Sequence, residues 1–128
     1  MEEYYKIFDE GQYVETFQKV KQYLDSEEIT SEKKSEAYNL LGLCVSLDSD
    51  LAYDDIESES GILFFEKAVE YDSNNISAWL NIISSYGHII GPQHQRKKLF
   101  LKAIDKLDEL NYQLSEKTKL IIEKKLKS

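Results

Sequence analysis

Four features of the chain have the residue types that chemistry needs. They are two histidines (His88 and His94), a lone cysteine (Cys44), an Asp48-Ser49-Asp50 triplet, and a lysine-rich tail. The histidines stand six apart across Gly91-Pro92, with no carboxylate or thiolate adjoining them to complete a zinc set. They read as polar residues near a turn. Cys44 falls on an apolar helix face, and no base in the run Ala37–Leu47 would favour its thiolate, so it reads as core. Asp48-Ser49-Asp50 opens like a calcium loop. Ala52 and Tyr53 then break the alternation of oxygen ligands, and the required glycine is missing. The chain has no glycine-rich phosphate loop, no serine nucleophile elbow and no His-Glu-x-x-His. No catalytic residue, metal or cofactor is expected, and the protein reads as a non-enzyme.

Charge is distributed unevenly. Residues 1–94 hold 19 acids and 6 bases, a net −13, whereas residues 95–128 hold 5 acids and 10 bases, a net +5. The lysines from Lys97 to Lys127 have the density of a nucleic-acid surface. A net −13 over the rest of the chain would repel phosphate, so a solvated helix face is the better reading. Between Lys34 and Lys67 there are eight acids and no base. Such a field favours a basic protein partner over nucleic acid.

The remaining question is what positions these residues. A chain of 128 residues with 41% apolar and 31% charged side chains can bury one core as a single domain, 1–128. One cysteine forms no internal disulfide, and the acidic start Met1-Glu2-Glu3 does not resemble a signal peptide, so a cytoplasmic location is expected. Residues 76–95 lack Asp, Glu, Lys and Arg. They also contain Ser, Asn, two His, two Gln and Gly-Pro, which suits a helix packed between neighbours and not a membrane span.

Helical spacing recurs along the whole chain. Tyr4, Tyr5 and Phe8 predict a first helix stopped by Gly11; Tyr13, Phe17, Val20 and Leu24 predict a second. Ala37, Leu40, Leu41, Cys44, Val45 and Leu47 give a third. The run Asp48–Glu59 reads as an acidic loop, and Ile62, Phe64, Phe65 and Val69 form a fourth helix. Asp72-Ser73-Asn74-Asn75 ends that helix and caps a fifth through Trp79, Ile82, Ile83 and Tyr86. Gly91-Pro92 opens a sixth, with Leu99, Phe100, Ala103, Ile104 and Leu107 inward. A seventh, near 115–127, turns Thr118, Ile121, Ile122 and Leu126 inward and its lysines to water. No stretch alternates, so no strand is expected.

A repeat underlies this series. Phe65-x2-Ala68 returns as Phe100-x2-Ala103, and Tyr38-x2-Leu41-Gly42 lines up with Trp79-x2-Ile82-Ile83-x2-Tyr86. This pattern resembles the tetratricopeptide repeat, whose unit of about 34 residues pairs W-x2-L-G-x2-Y with A-x3-F and a further Ala. The resemblance implies an all-α fold: about seven helices as antiparallel helix-turn-helix pairs in a short right-handed superhelix. Its repeats would cover about 1–30, 31–73 and 74–110, with an acidic insert at 48–59 and a C-terminal capping helix at 114–127. Ala68 and Ala103 would be contact points where helices approach to about 8–10 Å, and Trp79 would fill the space beside Ala68.

The family binds proteins and peptides in a concave groove lined by the first helix of each pair. Carried over, that groove comprises Tyr5, Phe8, Glu36, Asn39, Leu43, Leu47, Ser77, Leu80, Asn81, Ser84 and His88. The family's clamp for a peptide C-terminal carboxylate needs bases that these positions lack. A second candidate surface is the acidic loop: Asp48, Asp50, Tyr53, Asp54, Asp55, Glu57 and Glu59. Here an aromatic anchor sits among charges of one sign. Two functions remain open, an adaptor or chaperone-type interaction module, and a small acidic immunity or inhibitor protein that neutralises a basic toxin or nuclease. Both take a protein or peptide partner, and neither takes nucleic acid or a membrane.

Overall fold

The computed structural model describes residues 1–26, 28–48, 51, 61–87 and 94–127. Seven helices and no strand occur among them, so the fold is all-α. The chain divides into two compact units, residues 1–75 and 76–128.

The first unit holds α1 (Glu2–Asp9), α2 (Tyr13–Leu24), α3 (Ser31–Leu47) and α4 (Ile62–Tyr71). Gly11, with φ at 81°, ends α1 in a left-handed turn. Its N–H donates to Phe8 O, and that of Gln12 donates to Ile7 O, which occupies two carbonyls the helix leaves open. Thr30 caps α3, its hydroxyl accepting from Lys33 N at 3.2 Å, so α3 begins a full turn and a half before the apolar run that foretold it. Phe17, Val20, Ala37, Leu40, Leu41, Cys44, Val45 and Phe64 form the core of this unit, and Tyr4, Tyr5, Phe8 and Tyr13 close over it. Leu51 is buried in the same cluster. Its N–H donates to Asp48 O, so the insert read as an acidic loop is anchored to the core near its start. The rest of that insert, and Gly91-Pro92, lie outside the described residues.

In this unit α3 and α4 approach closely. Gly42 and Gly61 are both buried, and a β-carbon at Gly61 would lie 2.8 Å from Ser46 Oγ and closer still to Gly42 O. Gly61, with φ at 76°, also starts α4. A hydroxyl secures the other end: Ser35 Oγ donates to Ala68 O at 2.6 Å and accepts from Asn75 Nδ2 at 2.9 Å. The predicted polar break carries this bond, and within it Asn74 N donates to Asp72 Oδ1.

The second unit holds α5 (Ile76–Gly87), α6 (His94–Glu109) and α7 (Glu116–Leu126). Trp79, Ile82, Ile83, Phe100, Ala103 and Leu107 are buried, as their spacing predicted. Asn111, with φ at 57°, ends α6 as Gly11 ends α1: Asn111 N donates to Asp108 O and Tyr112 N to Leu107 O. Ser115 caps α7, accepting from Thr118 N. This last helix lies against α5 but buries no residue completely. Thr118, Ile121 and Ile122 are half-buried as expected. Leu126 is not inward, since 54% of its surface is exposed. The half-buried residue beside it is Lys125, whose ammonium lies 5.5 Å from the centre of the Tyr86 ring. A long aliphatic stem with a cation over an aromatic face supplies the contact that the leucine was expected to make.

Candidate functional site

The carried-over groove residues of the first unit come from α1 and α3. Positions 36, 39, 43 and 47 recur every three or four residues and share one face of α3. The fold brings two of the predicted residues directly together: Tyr5 Oη donates to Glu36 Oε1 at 2.9 Å. Burial, with the Glu36 hydrogen bond and charge, raises the Tyr5 phenol well above its ordinary value, so it stays a donor. Glu36 Oε2 also meets Lys33 Nζ at 3.5 Å, so this carboxylate is held on both sides. Phe8 tilts against Tyr13 at 5.3 Å and helps fix α1 to α2. Asn39 is buried, Leu43 is half-buried and Leu47 is exposed. The face therefore offers a fixed Tyr5–Glu36 pair and an apolar edge at Leu43 and Leu47.

In the second unit, Ser77 and Ser84 are exposed on α5, and Leu80 and Asn81 are half-buried. His88 lies outside the described residues, as do Asp50, Tyr53, Asp54, Asp55, Glu57 and Glu59 of the acidic loop. Asp48 is described and half-buried, its N–H donating to Cys44 O. The Cys44 thiol is buried, and desolvation, reinforced by Asp48, pushes it up to about 12. It is suited to packing and not to attack. Among the described residues no three His, Cys, Asp or Glu side chains are grouped to hold a metal ion, and no helix is long and apolar enough to cross a membrane.

One surface was not foreseen. Four rings from α2, α3 and α4 form a ladder: Phe17 meets Phe64 edge-on at 5.9 Å, Phe64 stacks on Tyr38 at 6.3 Å, and Tyr38 stacks on Tyr71 at 5.5 Å. Lysines border it. Lys21 lies over Phe17, Lys67 over Tyr38 and Lys34 over Tyr71, each 5.2–5.5 Å from the ring centre. The Phe17/Lys21 spacing, four residues on one helix, is a local trace of it in the sequence, but it does not reveal that rings from three helices meet. Lys21, Asp25, Tyr38, Leu41, Phe64 and Lys67 line a cleft of about 250 Å³ there.

The chain matches no protein-family model, no curated protein sequence and no solved structure.

Proposed function

We propose that this protein is a non-enzymatic interaction module whose helix pairs are built in the manner of tetratricopeptide repeats. The observation that carries this reading is that the two halves of the repeat motif meet within each compact unit. In the first, Phe65 packs onto Gly42; in the second, Phe100 stacks on Tyr86 at 4.5 Å. A motif that pairs helices this way leaves the outer faces of α3 and α5 with no role in that packing, and those are the faces a partner would occupy. Purified protein is immobilised, exposed to native lysate, and the retained proteins are identified by mass spectrometry. A discrete partner retained in stoichiometric amount is the expected result. Substrate turnover in a broad enzymatic screen, with no partner retained, would overturn the reading.

The net −13 of residues 1–94 favours a narrower version, an acidic inhibitor that covers a basic partner's surface. In that case the retained partner is basic and its association is salt-sensitive. Changing Asp50, Asp54, Asp55 and Glu57 together to Asn or Gln slows association by roughly several-fold. An unchanged on-rate at low salt removes the acidic insert from the binding surface.

A further inference from the structure

We propose that copies of this chain dock head to tail, the outer face of α1 in one copy against the outer face of α7 in the next. This goes beyond the reading above: the partner is the chain itself, and the contact uses helices other than α3 and α5.

These two helices are covered on one side only. Neither buries a residue completely. α1 turns Tyr4, Tyr5 and Phe8 toward the core, and α7 half-buries Thr118, Ile121, Ile122 and Lys125. Away from that side, Glu3, Ile7 and the C-cap Glu10 of α1 are spaced four and three residues apart, so they share a face. On α7, Lys117, Leu120 and Lys124 are spaced three and four apart and also share a face. Glu3, Glu10, Lys117 and Lys124 are exposed, and Leu120 is 63% exposed. Two other lysines of α7, Lys119 and Lys127, are paired with Glu116 and Glu123 on the same helix. The four charges of the two faces make no ion pair with another described residue.

The two patterns match when the helices run antiparallel. Read backwards, Lys124, Leu120 and Lys117 are spaced four and three, as Glu3, Ile7 and Glu10 are. Each pair of like charges lies about 10.5 Å apart along its helix. Glu3 then meets Lys124, Ile7 meets Leu120, and Glu10 meets Lys117. The helix dipoles favour this direction. Glu10 stands at the C-terminal end of α1 and Lys117 in the first turn of α7, so each opposes the dipole of its own helix. Antiparallel docking brings Glu10 to the N-terminal end of α7 and Lys117 to the C-terminal end of α1, where each is favoured.

Charge also decides which faces pair. Residues 2–10 hold four acids and one base, a net −3, and residues 116–127 hold two acids and five bases, a net +3. Each face repels its own kind and attracts the other. The net −8 of the chain does not prevent this, because exposed charges beyond about 8 Å are largely screened at physiological ionic strength. A contact of two ion pairs around one apolar pair is small, so association is weak, with dissociation constants of roughly 0.1–1 mM.

Sedimentation equilibrium between about 0.02 and 1 mM protein tests it, at about 0.05 M and about 0.5 M sodium chloride. The parent's weight-average mass should rise with concentration at low salt and stay near the monomer's at high salt. Glu3→Lys/Glu10→Lys and Lys117→Glu/Lys124→Glu, each with helicity by circular dichroism equal to the parent's, should both remain monomeric alone. Mixed in equal amounts they should associate again, since every α1 face then finds an α7 face of opposite charge. The variant with all four changes should associate by itself as the parent does. A parent that stays monomeric at low salt, association unaffected by salt, parent-like association of either double variant alone, or a mixture that stays monomeric would each overturn the proposal.

Discussion

The Phe65 ring occupies the space that a side chain at position 42 would need. A β-carbon on Gly42 would lie 2.6 Å from Phe65 Cδ1 and 2.9 Å from its Cζ. The ring is itself buried, so it has no free volume to retreat into. This pair fixes how closely α3 and α4 approach.

Gly42→Ala should therefore destabilise the protein. Alanine favours a helix interior over glycine by about 0.5–1 kcal/mol, but overpacking a core costs about 1–3 kcal/mol. A net loss of about 1 kcal/mol is expected in urea unfolding. In a Phe65→Leu background the same change should cost less, since the smaller side chain yields. A Gly42→Ala protein as stable as its parent would show that the ring is not held there.

Gly61 and Gly11 provide a matched comparison. Both have φ near 80°, which costs an alanine about 1–2 kcal/mol. A β-carbon at Gly11 meets nothing within 4 Å, whereas one at Gly61 meets Gly42 O and Ser46 Oγ. Gly61→Ala should lower the melting temperature clearly more than Gly11→Ala. Equal losses would mean that only the backbone conformation matters at Gly61.

Helix order and the buried faces were legible because spacing reports burial directly. Phe17 with Val20 and Phe100 with Ala103 and Leu107 show it. Three things were less legible. Thr16 and Ser35 are fully buried, yet a hydroxyl reads as surface until its partners, here Gln12 O and Ala68 O, are known. Leu126 and Lys125 exchanged places because a lysine stem over an aromatic ring can cover a face as an apolar side chain does. The aromatic ladder joins residues 17, 38, 64 and 71 from three helices, and no local pattern encodes such a meeting. Within the candidate groove, Tyr5 and Glu36 are joined directly, across 31 positions of sequence.

Ser35→Ala should cost about 1–3 kcal/mol, because the α3–α4 link loses its buried bond to Ala68 O and the part-buried Asn75 contact loses its acceptor. Calorimetry measures it. Ser35→Cys, which keeps a weak donor, should fall between the alanine variant and the parent. A fully stable Ser35→Ala would show that the hydroxyl is replaceable there.

Cys44 sets an alkaline limit on stability. Its thiol is raised from an ordinary value of 9.0 to about 12 in the folded protein, chiefly by burial. Between those values the unfolded chain has lost the proton and the folded chain keeps it, so stability falls as pH rises. This contribution is complete below about pH 9 and fades above it. Melting temperature should decline through that range, and a thiol reagent at pH 8 should label Cys44 only after denaturation. Rapid labelling of native protein would contradict a buried thiol.

Docking on the outer faces of α3 and α5 is tested most directly by the affinity of the captured partner for Leu47→Arg/Ser84→Arg. Both positions are exposed, so the double variant should fold like the parent. Isothermal titration calorimetry should show affinity weakened by about tenfold or more, as when a bulky charge enters a contact surface. Parent-like affinity in a variant of parent-like helicity would contradict docking on these faces.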